Sequence, residues 1–369
     1  MKKMILCALL WGLSVGMTGL FAQNEYYFPE GLTFDASIPS PSDFLGYPIG
    51  AWHTRHDQMT AYFEQLAEVS ELADFQVIGY SVEHRPQVIL TITSPENRAD
   101  LEAIRTRHLA LAQNPDATAE TENMPVVVLL GYNVHGNEPS STEAAMLTAY
   151  YLLAARFEGR AETLRHAVIM IDPAYNPDGR DRHTNWVNMH KGNPPVADPL
   201  DREHNEVWPR GRTNHYWFDL NRDWLPLAQV ESQNRMAFYQ QWLPNVATDF
   251  HEMGTNSTYF FEPTKPFGSE NPRVGRRNYD ELNAAFAPYF QRALDDIGAL
   301  YFSKEAFDNF YPGYGSTYPD MTGGLGLLFE QASSRGHVQA SNTKDLTFAY
   351  TIRNQVRAGL ATVRAAVDN

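Results

Sequence analysis

The chain has 369 residues, of which 43% are hydrophobic, 12% aromatic and 20% charged. Its 19 tyrosines and 20 phenylalanines can fill a large core, which excludes a wholly disordered chain. The formal net charge is −15, so no basic field attracts nucleic acid or an anionic membrane surface. These values indicate an acidic globular protein.

The first 23 residues have the pattern of a secretory signal peptide. Lys2 and Lys3 precede an apolar run, and small residues follow up to Ala22; a retained membrane anchor is the alternative. We expect residues 1–23 to be removed and the mature chain to be exported to the periplasm or the extracellular space, without membrane insertion. The only cysteine, Cys7, lies in this segment, so the mature chain is expected to lack disulfides, thiol nucleophiles and thiolate metal sites.

The rest of the chain divides into an N-terminal arm and one domain. Residues 24–50 are rich in proline, serine and aromatic residues without helical period, which predicts an extended arm on the surface. From residue 51 to residue 369, strand and helix patterns alternate, which indicates a single α/β domain with a largely parallel sheet. The predicted helices are 59–72, 97–113, 140–155, 230–242, 278–299 and 346–366, and the predicted strands are 75–80, 87–93, 125–130, 168–171, 246–250 and 326–329.

Two local patterns indicate a helix start and a long loop within this domain. Ser140 and Glu143 have the spacing of a capping box and predict the start of a helix. Residues 174–223 contain turn formers, tryptophan, histidine and arginine without a regular period. A loop of this length inside a compact domain is usually functional.

Three candidate metal ligands follow predicted strands. His135 and Glu138 lie three residues apart in the sequence HGNE, and His251 follows the strand of VATDF. In an open α/β sheet, ligand sites lie beyond the carboxyl ends of the strands, and two histidines with one carboxylate are a ligand set of catalytic zinc. Each residue alone also fits a structural role, such as a polar loop, so the prediction depends on the set.

Further polar residues fit roles around such a centre. Glu330 ends a hydrophobic strand and suits a general base for water; a salt bridge to an arginine is the structural alternative. Asn221 and Arg222 precede a helix and offer donors suited to a carboxylate. Arg212, nine residues before Asn221, can reach a developing oxyanion. Each arginine alone also fits a solvated surface charge.

Together these motifs resemble the zinc carboxypeptidase family, the carboxypeptidase A-like enzymes or funnelins. IGYSVEHRPQVILTI, HGNE, NPDG, DLNR, FHEMG and LLFE occur in the family's order. The resemblance implies one domain with a mixed, mostly parallel, eight-stranded twisted sheet and helices on both faces. It also implies one Zn²⁺ per chain and the following roles: His135, Glu138 and His251 as zinc ligands, Glu330 as base and proton shuttle, and Asn221 and Arg222 as ligands of the substrate's terminal carboxylate.

The oxyanion arginine is assigned by spacing within the family. The digestive enzymes place it at a fixed distance after NPDG, where this chain has Asn188 and Lys191. The cytosolic deglutamylating enzymes place it nine residues before the asparagine of DLNR, which matches Arg212. The resemblance therefore implies that Arg212 stabilises the oxyanion.

The family's mobile tyrosine and specificity pocket are assigned in the same way. The tyrosine precedes a Gly-Ser turn, and Tyr311 in FYPGYGS fits best as a substrate-binding residue, with Tyr314 as the alternative. The specificity pocket is expected in the loop 317–324, where Asp320 is the one charged residue that could form its floor.

The resemblance implies hydrolysis of C-terminal peptide bonds. By the same resemblance, water would attack the scissile carbonyl, Arg212 and zinc would share the oxyanion, and Glu330 would pass the proton to the leaving amine. The expected partner is a peptide substrate. Two alternatives stay open: a cell-wall peptidase that cuts γ-D-glutamyl bonds to diamino acids in a peptidoglycan peptide, and an inert binding module with the same fold. The chain also fits the catalytic part of a longer protein.

Overall fold

The computed structural model describes residues 26–114, 121 and 124–369, and the predicted signal peptide lies outside them. The described residues form eleven α-helices: α1 (Pro41–Leu45), α2 (His56–Val69), α3 (Pro95–Ala99), α4 (Leu101–Gln113), α5 (Ser140–Ala154), α6 (Arg160–Arg165), α7 (Pro177–His190), α8 (Val230–Trp242), α9 (Asn283–Asp295), α10 (Thr317–Met321) and α11 (Phe348–Asp368). They also form twelve strands: β1 (Thr33–Phe34), β2 (Ala73–Tyr80), β3 (Pro86–Ile92), β4 (Val126–Tyr132), β5 (Ala155–Arg156), β6 (Ala167–Asp172), β7 (Val246–Phe250), β8 (Tyr259–Phe261), β9 (Tyr301–Phe302), β10 (Leu325–Glu330), β11 (Val338–Ala340) and β12 (Asp345–Thr347).

Eight strands form one mixed sheet in the order β2-β3-β6-β4-β7-β10-β8-β9. The four central strands β6, β4, β7 and β10 are parallel, whereas β2, β3 and β8 pair with their inner neighbours in antiparallel fashion. The predicted mixed sheet of eight strands is therefore confirmed. The carboxyl ends of the four parallel strands lie at the same edge of the sheet, where the candidate ligands follow β4 and β7.

Helices cover both faces of the sheet, as predicted. Successive residues of a strand point to opposite faces, and β4 shows this directly. Val128 and Leu130 pack in a core cluster with residues of α2, α5, α9 and α11, while Val127 and Leu129 pack in a second cluster with residues of α4 and α8. Among the described helices, none is both long and apolar enough to cross a membrane.

The N-terminal segment is part of the domain, which corrects the prediction of a surface arm over residues 24–50. Tyr27 and Phe28 are only 2% and 1% exposed, and β1 pairs with β5. The Tyr27 hydroxyl donates to the carbonyl of Ile49 at 3.0 Å. The aromatic residues that lacked a periodic pattern therefore extend the core, because tertiary packing covers them.

The start of α5 is not a capping box. Its N-cap is Pro139, which makes no side-chain cap hydrogen bond. The Ser140 N–H donates to Glu252 at 3.0 Å, and buried Glu143 forms an ion pair with Arg180 at 2.6 Å. Both side chains that matched the motif therefore contact distant parts of the chain instead of each other.

The predicted loop 174–223 contains a helix that the sequence analysis missed. Asn176 caps α7 by accepting a hydrogen bond from the Gly179 N–H at 2.9 Å, and Pro177 occupies the first turn, where its missing N–H costs nothing. Elsewhere the predicted helix 97–113 is divided into α3 and α4, and the predicted helix 278–299 ends at Asp295. Six short strands have no counterpart among the predicted ones: β1, β5, β8, β9, β11 and β12.

Candidate metal centre

His135, Glu138 and His251 meet at the carboxyl ends of β4 and β7, and all three are buried. The two Nδ1 atoms are 3.1 Å apart, and they lie 3.0 and 2.9 Å from the two carboxylate oxygens of Glu138. A tetrahedral zinc with bonds of about 2.0–2.1 Å separates its ligands by roughly 3.3 Å. The three residues therefore fit one zinc ion after shifts of a few tenths of an ångström.

Two aspartates orient the histidines from behind. Nε2 of His135 lies 2.8 Å from Oδ1 of Asp219, and Nε2 of His251 lies 2.9 Å from Oδ1 of Asp249. A carboxylate at Nε2 keeps the proton on that nitrogen, so the Nδ1 lone pair faces the metal position. No local pattern distinguishes these aspartates as partners of the histidines, although Asp219 begins DLNR and Asp249 precedes His251 by two residues.

The charges of this cluster depend strongly on one another. Burial lowers the pKa of both histidines, but Glu138, Asp219 and Asp249 outweigh it, so both pKa values lie above the ordinary value. Burial likewise raises the pKa of Glu138, but His135 and His251 hold it well below its usual range. Because imidazole must be neutral to bind a metal, binding here releases protons and weakens at acidic pH.

Glu330 lines the same cavity, which has a volume of about 310 Å³. It ends β10 next to β7, where the His251 N–H donates to the carbonyl of Phe329 at 2.8 Å. Burial raises the pKa of Glu330 to about 8. In the described part of the chain Glu330 forms no ion pair with an arginine, so nothing supports the salt-bridge alternative. A carboxyl group with a pKa near neutrality can both accept and return a proton.

Arg212 lies at the edge of this cavity, as the predicted oxyanion role requires. Its Nη1 donates to Glu138 Oε1 at 3.1 Å, and its Nη2 donates to Asp219 Oδ2 at 3.0 Å. The side chain is 42% exposed, so part of the guanidinium faces the cavity. The two carboxylates hold it beside the metal ligands.

Asn221 and Arg222, the predicted carboxylate-binding pair, both line the cavity. Arg222 lines the cavity, and its guanidinium lies 4.6 Å from the ring centre of Tyr314. The amide nitrogen of Asn221, in contrast, lies 3.0 Å from Asp249 and 2.8 Å from His251 Nε2, and its oxygen accepts from a backbone N–H. Asn221 therefore lies beside His251 and Asp249 in the cavity lining, and its contact with a substrate carboxylate stays a prediction.

Tyr311 and the predicted specificity loop 317–324 do not line the cavity. Tyr314, the alternative, lines the cavity, whereas the hydroxyl of Tyr311 donates to the carbonyl of Arg222 at 3.2 Å. Asp320 does not line the cavity; its carboxylate accepts hydrogen bonds from the Asn278 side chain and the Gly326 N–H. The side of the cavity beyond Tyr314 is lined instead by Phe307, Asp308, Ser316 and Leu328. No sequence pattern indicates Phe307 and Asp308, because no helix or strand contains them.

Comparison with known proteins identifies the family of the chain. The sequence profile of the zinc carboxypeptidase family matches residues 59–265, more than half of the chain, and the chain therefore belongs to this family. Carboxypeptidase 2 of Trichophyton rubrum is 24% identical over 214 residues, which are 58% of this chain and 31% of that protein. Carboxypeptidase 2 of Trichophyton tonsurans is 26% identical over 145 residues, or 39% of this chain and 22% of that protein. The matched part of the chain thus spans less than a third of these relatives.

Solved structures share the fold. Thrombin activatable fibrinolysis inhibitor superimposes with a TM-score of 0.58 and 14% identity, covering 89% of this chain and 79% of that one. Carboxypeptidase A of Helicoverpa armigera gives 0.55 and 14%, covering 95% and 81%. A metallo-carboxypeptidase of Burkholderia cenocepacia gives 0.53 and 17%, covering 85% and 69%. At these identities the likeness establishes the architecture alone.

Proposed function

We propose that this protein is a zinc metallocarboxypeptidase that hydrolyses the C-terminal peptide bond of a peptide. The observation that carries the proposal is the convergence of His135, Glu138 and His251 within 2.9–3.1 Å, in the cavity that also holds Glu330. A zinc ion held by these ligands would supply a Lewis acid that polarises the scissile carbonyl and lowers the pKa of water. Membership of the zinc carboxypeptidase family supports the same reaction.

The side chains around the ligands supply the proton transfers and the charge stabilisation. Glu330 takes a proton from the attacking water and returns it to the leaving amine. Arg212 donates hydrogen bonds to the carbonyl oxygen as negative charge develops there. Two carboxylates, those of Glu138 and Asp219, hold its guanidinium at the cavity edge, so little reorganisation is needed during the reaction.

Arg222 gives the enzyme its preference for a chain end. Its side chain is 49% exposed, and it packs on Tyr314 within the cavity. A guanidinium held in this way presents a planar fork to the two oxygens of a terminal carboxylate. The enzyme is therefore an exopeptidase in this proposal, with Tyr314 packed against the residue that reads the carboxylate.

The test compares blocked dipeptides that have a free or an amidated C-terminus. With zinc-loaded protein, the change Arg222→Met should lower kcat/KM for the free acid roughly ten- to a hundredfold, since hydrogen bonds to charged groups contribute about 1.5–3 kcal/mol. The amidated peptide should change little, and Arg222→Lys should restore only part of the rate. Arg273→Met, at an exposed arginine outside the cavity, is the control.

Other outcomes would redirect the proposal. If the wild type cleaves the amidated peptide as fast as the free acid, the carboxylate is not read and the exopeptidase is wrong. If it cleaves γ-D-glutamyl-diamino acid peptides of the cell wall but no blocked dipeptide, the substrate is peptidoglycan-derived.

We further propose that the mature chain is exported, because residues 1–23 have the composition of a signal peptide. A bacterial host that secretes the protein should release a chain whose measured mass lacks these residues. A chain that keeps them after export would contradict the proposal.

A further inference from the structure

A second cavity adjoins the metal cavity and is lined by three arginines. It has a volume of about 390 Å³, and Arg210, Arg212 and Arg335 line it together with Asn137 and Glu206. Arg212 lines both cavities, and Asn137 directly precedes the ligand Glu138. The two cavities therefore share a wall at the metal centre.

Two of these arginines carry charges that no acidic side chain neutralises at close range. Arg335 donates to the carbonyl of Asn137 at 2.9 Å, and neither Arg210 nor Arg335 forms an ion pair within the described ranges. The one acidic residue of the lining, Glu206, accepts hydrogen bonds from the Asn137 amide and the Gly211 N–H, both at 2.9 Å, and lies 3.1 Å from His183 Nδ1. In a chain of net charge −15, three arginines and one glutamate line this cavity, so the lining carries a net positive formal charge.

The backbone holds these arginines in an unusual conformation. Arg210 and Arg335 have φ values of +62° and +57°, a region that residues other than glycine seldom adopt and that is enriched at ligand sites. The Arg210 carbonyl accepts from Arg182 at 2.8 Å, and the Arg335 N–H donates to the hydroxyl of Ser333 at 3.1 Å. Both backbone segments are thus fixed by side-chain hydrogen bonds. The Arg335 guanidinium is also held by the carbonyl of Asn137, whereas the Arg210 side chain is exposed.

We propose that this arginine cavity is a subsite for acidic residues on the N-terminal side of the scissile bond. The inference rests on the proposed function, which places the terminal carboxylate at Arg222 and the scissile carbonyl at Arg212. The peptide that precedes the scissile bond then leaves the metal cavity past Arg212, the residue shared with the arginine cavity. Side-chain carboxylates of aspartate or glutamate are complementary to guanidinium groups held there.

The experiment uses two N-blocked peptides with the same C-terminal residue, preceded by three glutamates in one and three glutamines in the other. The zinc-loaded wild type should favour the acidic peptide by about tenfold or more in kcat/KM, and the preference should fall as salt is added. Arg210→Gln and Arg335→Gln should each reduce this preference about three- to tenfold. Arg273→Gln, at an exposed arginine outside both cavities, should keep it.

A binding measurement separates this inference from the proposed function. Fluorescence anisotropy of the two labelled peptides on zinc-loaded Glu330→Gln protein measures their affinities without turnover. The acidic peptide should bind more tightly than the glutamine peptide. This difference in affinity should shrink when Arg210 or Arg335 is also replaced. Cleavage of both peptides at equal rates, or a preference that survives both substitutions, overturns the subsite and leaves the carboxypeptidase standing. If neither peptide is cleaved, the proposed function fails, and equal binding of the two peptides then overturns the subsite as well.

Discussion

The proton affinity of Glu330 depends on its position at the end of a buried strand. The carboxyl group ends a strand buried among hydrophobic neighbours, and burial raises its pKa to about 8. The buried charges of His251, Glu138 and His135 then act on it from the neighbouring strands. A carboxyl group at this place exchanges protons with water more readily at neutral pH than an exposed one.

The change Glu330→Gln should therefore abolish most of the turnover while zinc and peptide still bind. The amide keeps the shape of the side chain but cannot take a proton from water, and general acid–base catalysis typically contributes about 10²- to 10⁴-fold. Elemental analysis should give the same zinc content as the wild type. Glu305→Gln, at an exposed glutamate outside the cavity, serves as the control, and a Glu330→Gln variant with half the wild-type kcat would remove Glu330 from the mechanism.

The site residues that could be predicted from the sequence are those at the ends of strands. His135, Glu138, His251 and Glu330 all stand where a hydrophobic run ends, and the end of a parallel strand is where ligand sites form. The contacts of Asn221 could not be predicted in this way. They depend on which distant side chains the fold places behind the histidines, and no local pattern encodes that placement.

Among the elements, strand ends also carry carboxyl groups outside the metal centre. Asp172 ends β6 and Glu262 follows β8, and both are buried. Burial raises the pKa of each to about 8. Glu262 Oε1 accepts from Asn309 at 2.9 Å, while its Oε2 has no hydrogen-bond partner among the described residues. Such a group is stable in the fold as the neutral acid and costly as the carboxylate.

Glu262 should therefore make the folded state less stable as the pH rises. Its pKa is raised from 4.5 to about 8 on folding, so the native state holds a proton that the unfolded state has lost between these values. The free energy of unfolding then falls by up to about 1.4 kcal/mol per pH unit in this window. Glu262→Gln should flatten the pH dependence measured by denaturant unfolding from pH 5 to pH 8. Glu305→Gln should leave it unchanged, and an equal slope in wild type and Glu262→Gln would contradict the prediction.

Helix α7 shows why some elements escape sequence analysis. Most sequence patterns for a helix rely on an apolar stripe, but the buried side of α7 contains Asp178, Arg180 and His183. Asp178 accepts from Ser81 at 2.6 Å, and Arg180 pairs with Glu143 at 2.6 Å. A helix that buries paired polar groups has no hydrophobic period, so only its Asn-Pro start gave a signal.

Over the whole molecule, the alternation of strands and helices was enough to predict an α/β fold with a parallel centre. The strand number and the antiparallel edges came from the resemblance to zinc carboxypeptidases, since no short pattern fixes strand order. The N-terminal segment was misread because its aromatic residues are buried by helices far along the chain. Phe28, for example, packs against Tyr150 and Tyr151 of α5, contacts that local spacing does not reveal.

The metal should also stabilise the whole domain, because its ligands come from two different strands of the central sheet. Without a cation, Glu138 and the two imidazoles bury interacting charges at the ends of β4 and β7. A ligand that binds only the native state at 100 times its Kd adds about 2.7 kcal/mol to the free energy of unfolding. Removal of zinc by a chelator should therefore lower Tm by several degrees at neutral pH. The difference should shrink at acidic pH, since protonated imidazoles release the metal.

Differential scanning calorimetry with and without chelator measures the effect of zinc on Tm, and His251→Gln should abolish that effect. An unchanged Tm across chelated and zinc-loaded wild type would mean that these three side chains do not hold a zinc ion in the folded protein.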